Sequence, residues 1–133
     1  MNQPSAPVRA HILVAEDDPA IRANLLRLLR LEGYGADAVA DGRAALAAVQ
    51  ARRPDLLLTD AMMPALDGET LVRMLRKDAR FADLPVLLLT ARAGSEDRLR
   101  ALRAGVDAVV TKPFQRTVLL QAVVDLLDGR ARA

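Results

Sequence analysis

The sequence predicts an α/β fold in which a parallel sheet is covered by helices on both faces. Short apolar runs of strand length alternate with longer segments in which apolar residues recur with helical period. The runs are apolar at almost every position, which is typical of strands buried on both faces of a parallel sheet. With 133 residues, of which 52% are hydrophobic, the chain is long enough for the core of one domain.

The pattern predicts five strands and five helices along the chain. The expected strands are His11–Ala15, 36–40, 56–59, 85–90 and Ala108–Thr111, of which the second has the weakest pattern. The expected helices after the first are 43–52, 69–80, Ser95–Ala104 and 115–128. We place the domain at residues 8–128, with short flexible tails at 1–7 and 129–133, because no linker, repeat or low-complexity segment interrupts the alternation.

The first helix has the clearest signals at both ends. Its apolar stripe is formed by Ile21, Leu25, Leu28 and Leu29. Asp18 followed by Pro19 provides an N-cap and a proline at the first helical position, and Gly33 lies where the helix should stop. Asp18 is therefore read as a cap rather than as a metal ligand.

Composition and charge exclude several classes of function. The absence of cysteine excludes disulfides, thiolate catalysis and zinc–cysteine sites. A net charge of +2, with 19 basic and 17 acidic residues interspersed, argues against direct nucleic-acid binding. No apolar run approaches the roughly 20 residues of a membrane span, so we expect no membrane insertion and a cytoplasmic protein. The single histidine, His11, is read as structural.

Polar side chains occur where the predicted strands end. These residues are Glu16, Asp17, Asp60, Thr90, Thr111 and Lys112. Polar residues can simply mark where a strand reaches solvent, but the carboxyl ends of parallel strands share one edge, where ligands bind in doubly wound sheets. Clustered carboxylates repel one another unless a cation relieves them, and oxygen ligands favour magnesium. A metal beside a lysine and a hydroxyl suits a phosphoryl group.

Four motifs carry a resemblance to a known family. They read ILVAEDDPAIR, LLLTDAMMPALDG, PVLLLTA and AVVTKPF, and together they resemble the receiver domain of two-component response regulators over roughly residues 8–127. The resemblance implies a flavodoxin-like sheet with strand order 2-1-3-4-5 and five helices. It also implies a signalling domain rather than an enzyme.

The resemblance assigns a role to each residue of the edge. It implies that Asp60 is the phosphoacceptor and that Glu16 and Asp17 hold Mg²⁺, together with Asp60 and the backbone carbonyl of Met62. It further implies that the Thr90 hydroxyl donates to a phosphoryl oxygen and that Lys112 pairs with another.

The loops around these residues carry further expectations. A cis peptide bond is expected between Lys112 and Pro113, and Pro64 and Gly68 are expected to shape the loop after Asp60. Asp67 is read as part of an Asp-Gly turn.

Two positions depart from the family pattern. Family members commonly have an aromatic residue three positions before the lysine, where it reports phosphorylation by turning inward, but this chain has Val109. Glu16 stands where aspartate is more common, and its extra methylene still permits contact with a metal through water.

The resemblance also implies partners. The phosphoryl group is expected from a sensor histidine kinase or a phosphotransfer protein, and the chain is expected to be a monomer or a phosphorylation-dependent dimer. The fourth helix, fifth strand and fifth helix would form the output face, whose target or output domain the sequence does not identify.

Three other classes of protein have features that can be compared with this sequence. A magnesium-dependent phosphatase with an aspartyl nucleophile needs a second acid at position 62, where this chain has methionine. A flavin-binding module needs a hydroxyl- and glycine-rich loop after the first strand, where this chain has acidic residues. A phosphate-binding loop of the GxxxxGK type is absent. A receiver that serves as an unphosphorylated scaffold remains an alternative. Met62 and Met63 are read as loop and packing residues, and Arg98, Arg100 and Arg103 as a solvated helix face.

Overall fold

The computed structural model describes residues 9–92 and 94–129, so that Val8, Ala93 and the predicted tails except Gly129 lie outside it. The strands are β1 (His11–Ala15), β2 (Gly35–Val39), β3 (Leu56–Asp60), β4 (Val86–Thr90) and β5 (Ala108–Thr111). The helices are α1 (Pro19–Leu31), α2 (Gly42–Ala51), α3 (Gly68–Arg76), α4 (Ser95–Ala104) and α5 (Arg116–Leu127), with a short 3₁₀ helix at Ala79–Phe81.

The five strands form one parallel sheet in the order β2-β1-β3-β4-β5, which confirms the predicted fold and strand order. Side chains of each central strand alternate between two apolar clusters, as the pleat requires. In β1, Ile12 packs into the cluster that contains Leu25 of α1 and Leu119 of α5. Leu13 packs into the opposite cluster, which contains Leu71 of α3. Both faces of the sheet are therefore covered.

The ends of α1 match their sequence signals. The Asp18 carboxylate accepts hydrogen bonds from the backbone N–H groups of Ala20 and Ile21, so Asp18 is the predicted N-cap. Gly33 follows the last turn with a φ of +89°, a conformation that glycine adopts without steric cost.

The third helix ends earlier than predicted. The expected range was 69–80, but α3 ends at Arg76 and a separate 3₁₀ turn follows. The Asp78 carboxylate accepts a hydrogen bond from the Arg80 backbone N–H and so begins the new turn, which buries Phe81. The Asp78 cap and the burial of Phe81 therefore end α3 earlier than the spacing of its apolar residues predicts.

Arg76, the last residue of α3, contacts the 3₁₀ helix and the residues that precede β5. Its Nε and Nη2 atoms donate to the Gly105 carbonyl at 3.0 and 2.8 Å, and Nη1 donates to the Phe81 carbonyl at 2.8 Å. Its Nη2 also pairs with Asp107 at 3.0 Å, and that carboxylate accepts the Val86 backbone N–H. One guanidinium thus connects α3, the 3₁₀ helix, and the segments flanking β4 and β5.

The longest described helix, α1, has 13 residues. None of the helices within residues 9–92 and 94–129 is long and apolar enough to cross a membrane.

Candidate functional site

Three carboxylates converge at the carboxyl edge of the sheet. Glu16 and Asp17 follow β1 directly, and Asp60 is the last residue of the neighbouring strand β3. One carboxylate oxygen from each residue lies within 4.8 Å of the other two. Glu16 is 1% exposed and Asp60 is 7% exposed, while Asp17 faces solvent. This arrangement concentrates negative charge and oxygen ligands at the end of the central strands.

Lys112 bridges two of these carboxylates. Its Nζ atom lies 2.8 Å from Asp60 Oδ1 and 2.9 Å from Glu16 Oε1. Burial lowers the pKa of Lys112, but the hydrogen bonds to Asp60 and Glu16 outweigh burial and leave the pKa above its ordinary value. The side chain therefore remains an ammonium beside Asp60, where it can offset charge on an added phosphoryl group.

Burial raises the pKa of the Glu16 carboxyl above its ordinary value. The hydrogen bond from Lys112 opposes this rise, and so does the Asp18 backbone N–H, which donates to Glu16 Oε2 at 3.1 Å. The negative charge of Asp60 raises the pKa further. A cation between these carboxylates would favour their ionised forms.

Thr90 closes β4, the strand that neighbours β3 in the sheet. Its hydroxyl oxygen accepts the Arg92 backbone N–H at 3.0 Å, and its carbonyl accepts the Lys112 backbone N–H at 2.7 Å. The bond between Lys112 and Pro113 is cis, as predicted. The backbone therefore couples the loop after β4 to the residue that contacts Asp60.

The loop after Asp60 is held by close backbone approaches at two glycines. A Cβ atom at Gly68 would lie 2.3 Å from the Asp60 carbonyl oxygen, and one at Gly42 would lie 1.9 Å from the Leu66 carbonyl oxygen. Sequence reasoning anticipated a shaping role for Gly68 and did not anticipate Gly42. Met62 extends into solvent with 76% of its surface exposed, and metal binding by its carbonyl stays a prediction.

Arg22 contributes to the site through backbone contacts that the sequence analysis did not predict. It lies outside the apolar stripe of α1, and its Nη1 donates to the Glu16 carbonyl at 3.0 Å and to the Asp17 carbonyl at 3.4 Å. Helical side chains tilt toward the N-terminus, and this tilt is the signal that could have placed Arg22 over the preceding loop. Its guanidinium holds the backbone of the two acidic residues.

The structure gives Asp67 and Arg100 roles other than those predicted from the sequence. Asp67 is the N-cap of α3, because its carboxylate accepts the Thr70 backbone N–H at 2.8 Å. Arg100 is more than a solvated side chain, since its Nε pairs with Glu69 of α3 at 3.2 Å and its Nη2 with Asp97 at 2.9 Å. The middle of α4 is therefore joined to the start of α3 by an ion pair.

Val109 lies on β5 opposite Leu88 of β4. Its side chain is half-buried and packs against the cluster that contains Leu71 and Leu88. This small, β-branched side chain occupies the place where the family commonly has a ring.

The family model described as the response regulator receiver domain matches residues 12–124. The chain belongs to this family. Response regulator MprA of Mycolicibacterium vanbaalenii is 44% identical over 91% of this receiver chain and 51% of its own length. Transcriptional regulatory protein CseB of Streptomyces avermitilis is 41% identical over 86% of this chain and 48% of its own. The receiver domain thus spans about half the length of these curated relatives.

Solved receiver domains have the same fold. The receiver domain of a signal transduction histidine kinase from Syntrophus aciditrophicus superposes with a TM-score of 0.84 at 36% identity, over 93% of this chain and 94% of that one. The receiver domain of a sensor histidine kinase from Pseudomonas aeruginosa superposes with a TM-score of 0.83 at 33% identity, over 90% and 98%. The latter has a magnesium ion coordinated in its active-site cleft.

Proposed function

We propose that this receiver domain is a phosphoacceptor of a two-component phosphorelay and that Asp60 takes the phosphoryl group. The observation that carries the proposal is the contact of a nearly buried Asp60 carboxylate with the Lys112 ammonium at 2.8 Å, beside two further carboxylates. An ion pair that only stabilises the fold needs one acid and one base. A phosphoacceptor site also needs acids that bind a cation, and Glu16 and Asp17 are such acids at the same edge of the sheet.

The proposed reaction is a transfer from the phosphohistidine of a histidine kinase or phosphotransfer protein. A carboxylate oxygen of Asp60 attacks phosphorus, the new O–P bond forms, and the N–P bond breaks. The donor imidazole leaves with the bonding electron pair, and Asp60 becomes an acyl phosphate. Lys112 offsets charge on the phosphoryl oxygens, and the Thr90 hydroxyl, whose oxygen accepts the Arg92 N–H, can donate its proton to one of them.

The donor set fits Mg²⁺. Glu16, Asp17 and Asp60 offer oxygen atoms alone, as this hard cation prefers, and the Met62 carbonyl would complete the protein ligands. The ion, when bound, supplies positive charge beside the phosphoryl oxygens. Arg22 contributes by holding the backbone that carries two of the ligands.

The proposed function is tested by incubation of the chain with acetyl phosphate and Mg²⁺. We expect intact mass to increase by one phosphoryl group, and hydroxylamine, which cleaves acyl phosphates, should remove it. Chelation of Mg²⁺ should suppress the reaction. A hydroxylamine-stable adduct would contradict an aspartyl phosphate and refute the proposal.

Magnesium is expected to raise the free energy of unfolding. At ten times its Kd, a ligand specific for the folded state contributes about 1.4 kcal/mol. Asp17→Asn should remove most of this increment and should also stabilise the metal-free protein slightly, because one repulsive charge disappears. The measurement is thermal unfolding with and without MgCl₂. Asp37→Asn is the control, since it removes an exposed charge on β2 and should keep the full increment.

The proposed partners follow from the chemistry of the site. A sensor histidine kinase or phosphotransfer protein supplies the phosphoryl group, in a cytoplasmic setting. The chain acts as a monomer or as a phosphorylation-dependent dimer and contacts neither nucleic acid nor membrane directly. The chain spans about half the length of the curated relatives named as a response regulator and a transcriptional regulatory protein. The output face is formed by α4, β5 and α5.

Phosphorylation is expected to move the segment 91–97 more than Val109. Thr90 should be drawn toward the phosphoryl group, but valine is too small and too stiff at χ1 to follow as a ring would. Gly94 can absorb a change of dihedral angle at low cost, whereas Ala93 lies outside the described residues. This movement is measured by comparing backbone amide chemical shifts of residues 91–97 and Val109 with and without beryllofluoride, a mimic of the acyl phosphate. A response confined to Asp60 and its neighbours would exclude propagation through the segment.

A further inference from the structure

Thr59 is a buried polar residue that the proposed reaction does not use. Among residues 9–92 and 94–129, the buried polar or charged side chains are those of Glu16, Thr59 and Asp60. Glu16 and Asp60 belong to the proposed site, whereas Thr59 lies on β3 between Ala15 of β1 and Leu88 of β4, which are apolar. Valine has the same branched shape and would be buried there without the cost of burying a hydroxyl. The hydroxyl therefore needs an explanation.

The Thr59 hydroxyl holds the first peptide of the loop that follows β3. It donates to the Asp60 carbonyl at 3.0 Å. The N–H of the same peptide belongs to Ala61 and donates to the Leu89 carbonyl of β4 at 2.8 Å. Both polar groups of this peptide are therefore fixed, one by the backbone of the neighbouring strand and the other by a side chain.

The hydroxyl also lies close to the other end of this short segment. Its oxygen is 3.9 Å from Met63 Sδ, a weak hydrogen-bond acceptor. Met63 in turn packs against the apolar cluster that contains Leu71 of α3. The contacts of Thr59 therefore flank residues 61 and 62 on both sides.

Successive carbonyl groups of the loop have different partners. The Asp60 carbonyl accepts the Thr59 hydroxyl, and the Ala61 carbonyl accepts the Gly68 N–H at 2.9 Å. No N–H or O–H group of residues 9–92 and 94–129 donates to the Met62 carbonyl. The two carbonyls before Met62 are thus held by the protein, and the Met62 carbonyl has its acceptor capacity left for a cation.

We propose that Thr59 is a positioning residue for Mg²⁺ binding. By holding the Asp60 carbonyl, its hydroxyl would set the path of the loop so that the Met62 carbonyl can serve as a ligand beside the three carboxylates. This inference rests on the Mg²⁺ site of the proposed function and deepens it. Removal of a group that orients metal ligands typically weakens metal binding by about ten- to a hundredfold.

Variants at this one position isolate the hydroxyl. Thr59→Val removes it and keeps the branched shape, Thr59→Ser keeps it and removes the methyl group, and Thr59→Ala removes both. The measurement is titration of the unphosphorylated chain with MgCl₂, followed by backbone amide chemical shifts. The Met63 amide is the most direct reporter, because its nitrogen shares a peptide with the Met62 carbonyl.

The Kd for Mg²⁺ should be at least about tenfold higher for Thr59→Val than for the parent, and higher by a similar factor for Thr59→Ala than for Thr59→Ser. The parent and Thr59→Ser should bind alike. The two comparisons are independent, so one of them remains if a variant fails to fold. Thermal unfolding without Mg²⁺ shows which variants are folded.

The opposite order of affinities would overturn the proposal. If packing of the methyl group were the important contact, Thr59→Ser would weaken Mg²⁺ binding and Thr59→Val would not. Equal Kd values in all four proteins, or a parent chain that binds no Mg²⁺, would also contradict it. No phosphoryl donor is present in this titration. A parent chain that binds Mg²⁺ but is not phosphorylated would refute the phosphoacceptor, whereas the order of the Kd values would still decide the role of Thr59.

Discussion

Asp60→Asn should reduce phosphorylation by acetyl phosphate to background, a loss of at least about a thousandfold, while the fold persists. The amide nitrogen is a poor nucleophile, and asparagine has the shape of aspartate. The Lys112 ammonium retains its contact with Glu16 and can also bind the amide oxygen. Because the substitution removes one charge from a cluster of three carboxylates, the metal-free variant should be at least as stable as the parent.

Intact-mass measurement after incubation with acetyl phosphate and Mg²⁺ gives the result directly. Asp67→Asn is a matched control in the same loop. It makes the same change of charge, and asparagine caps a helix about as well as aspartate, so α3 should remain intact. Phosphorylation of the control at the parent rate is expected. Undiminished labelling of Asp60→Asn would place the acceptor at another residue.

Arg76→Ala should lower the free energy of unfolding by about 3 kcal/mol, the largest stability effect expected from a residue outside the apolar clusters. The Arg76 side chain is 17% exposed, and its guanidinium donates to the Phe81 and Gly105 carbonyls and to Asp107. Its removal leaves these acceptors without that donor and takes away the cation that faces the Asp107 carboxylate.

Urea unfolding measures this loss, and thermal unfolding should show a decrease in Tm of roughly 10 °C. Arg73→Ala is the matched control. Arg73 lies on the exposed face of the same helix, and its substitution removes the same charge and the same methylene groups. A loss below about 0.5 kcal/mol is expected for the control. Equal losses in both variants would show that the contacts of Arg76 contribute nothing beyond helix propensity and surface charge.

The strands and helices were predictable from local pattern because each of them depends on residues that are close in the sequence. Apolar runs gave the strands, and the Asp18-Pro19 cap gave the start of α1. The shared edge of parallel strands explains why Glu16, Asp17 and Asp60 meet. The strand order and the functional roles came from resemblance to a family, and the order is confirmed by the structure.

The contacts that sequence reasoning missed depend on the direction of long side chains and on distant backbone. Arg22 reaches back over the loop before its own helix, and Arg76 reaches carbonyls beyond β4. The early end of α3 results from a cap at Asp78, a residue that also fits a helix. The need for glycine at position 42 comes from the Leu66 carbonyl of another loop. None of these contacts leaves a periodic trace in the sequence.

The pairing of Lys112 with Glu16 joins residues 96 positions apart. During synthesis on the ribosome, Glu16, which follows β1, emerges early, and Lys112 emerges only after all five strands of the sheet have been made. A nascent chain that stops before β5 pairs with β4 has the aspartate but lacks its ammonium partner. The set of charges that we propose for phosphoryl acceptance is therefore complete only when β5 has paired with β4.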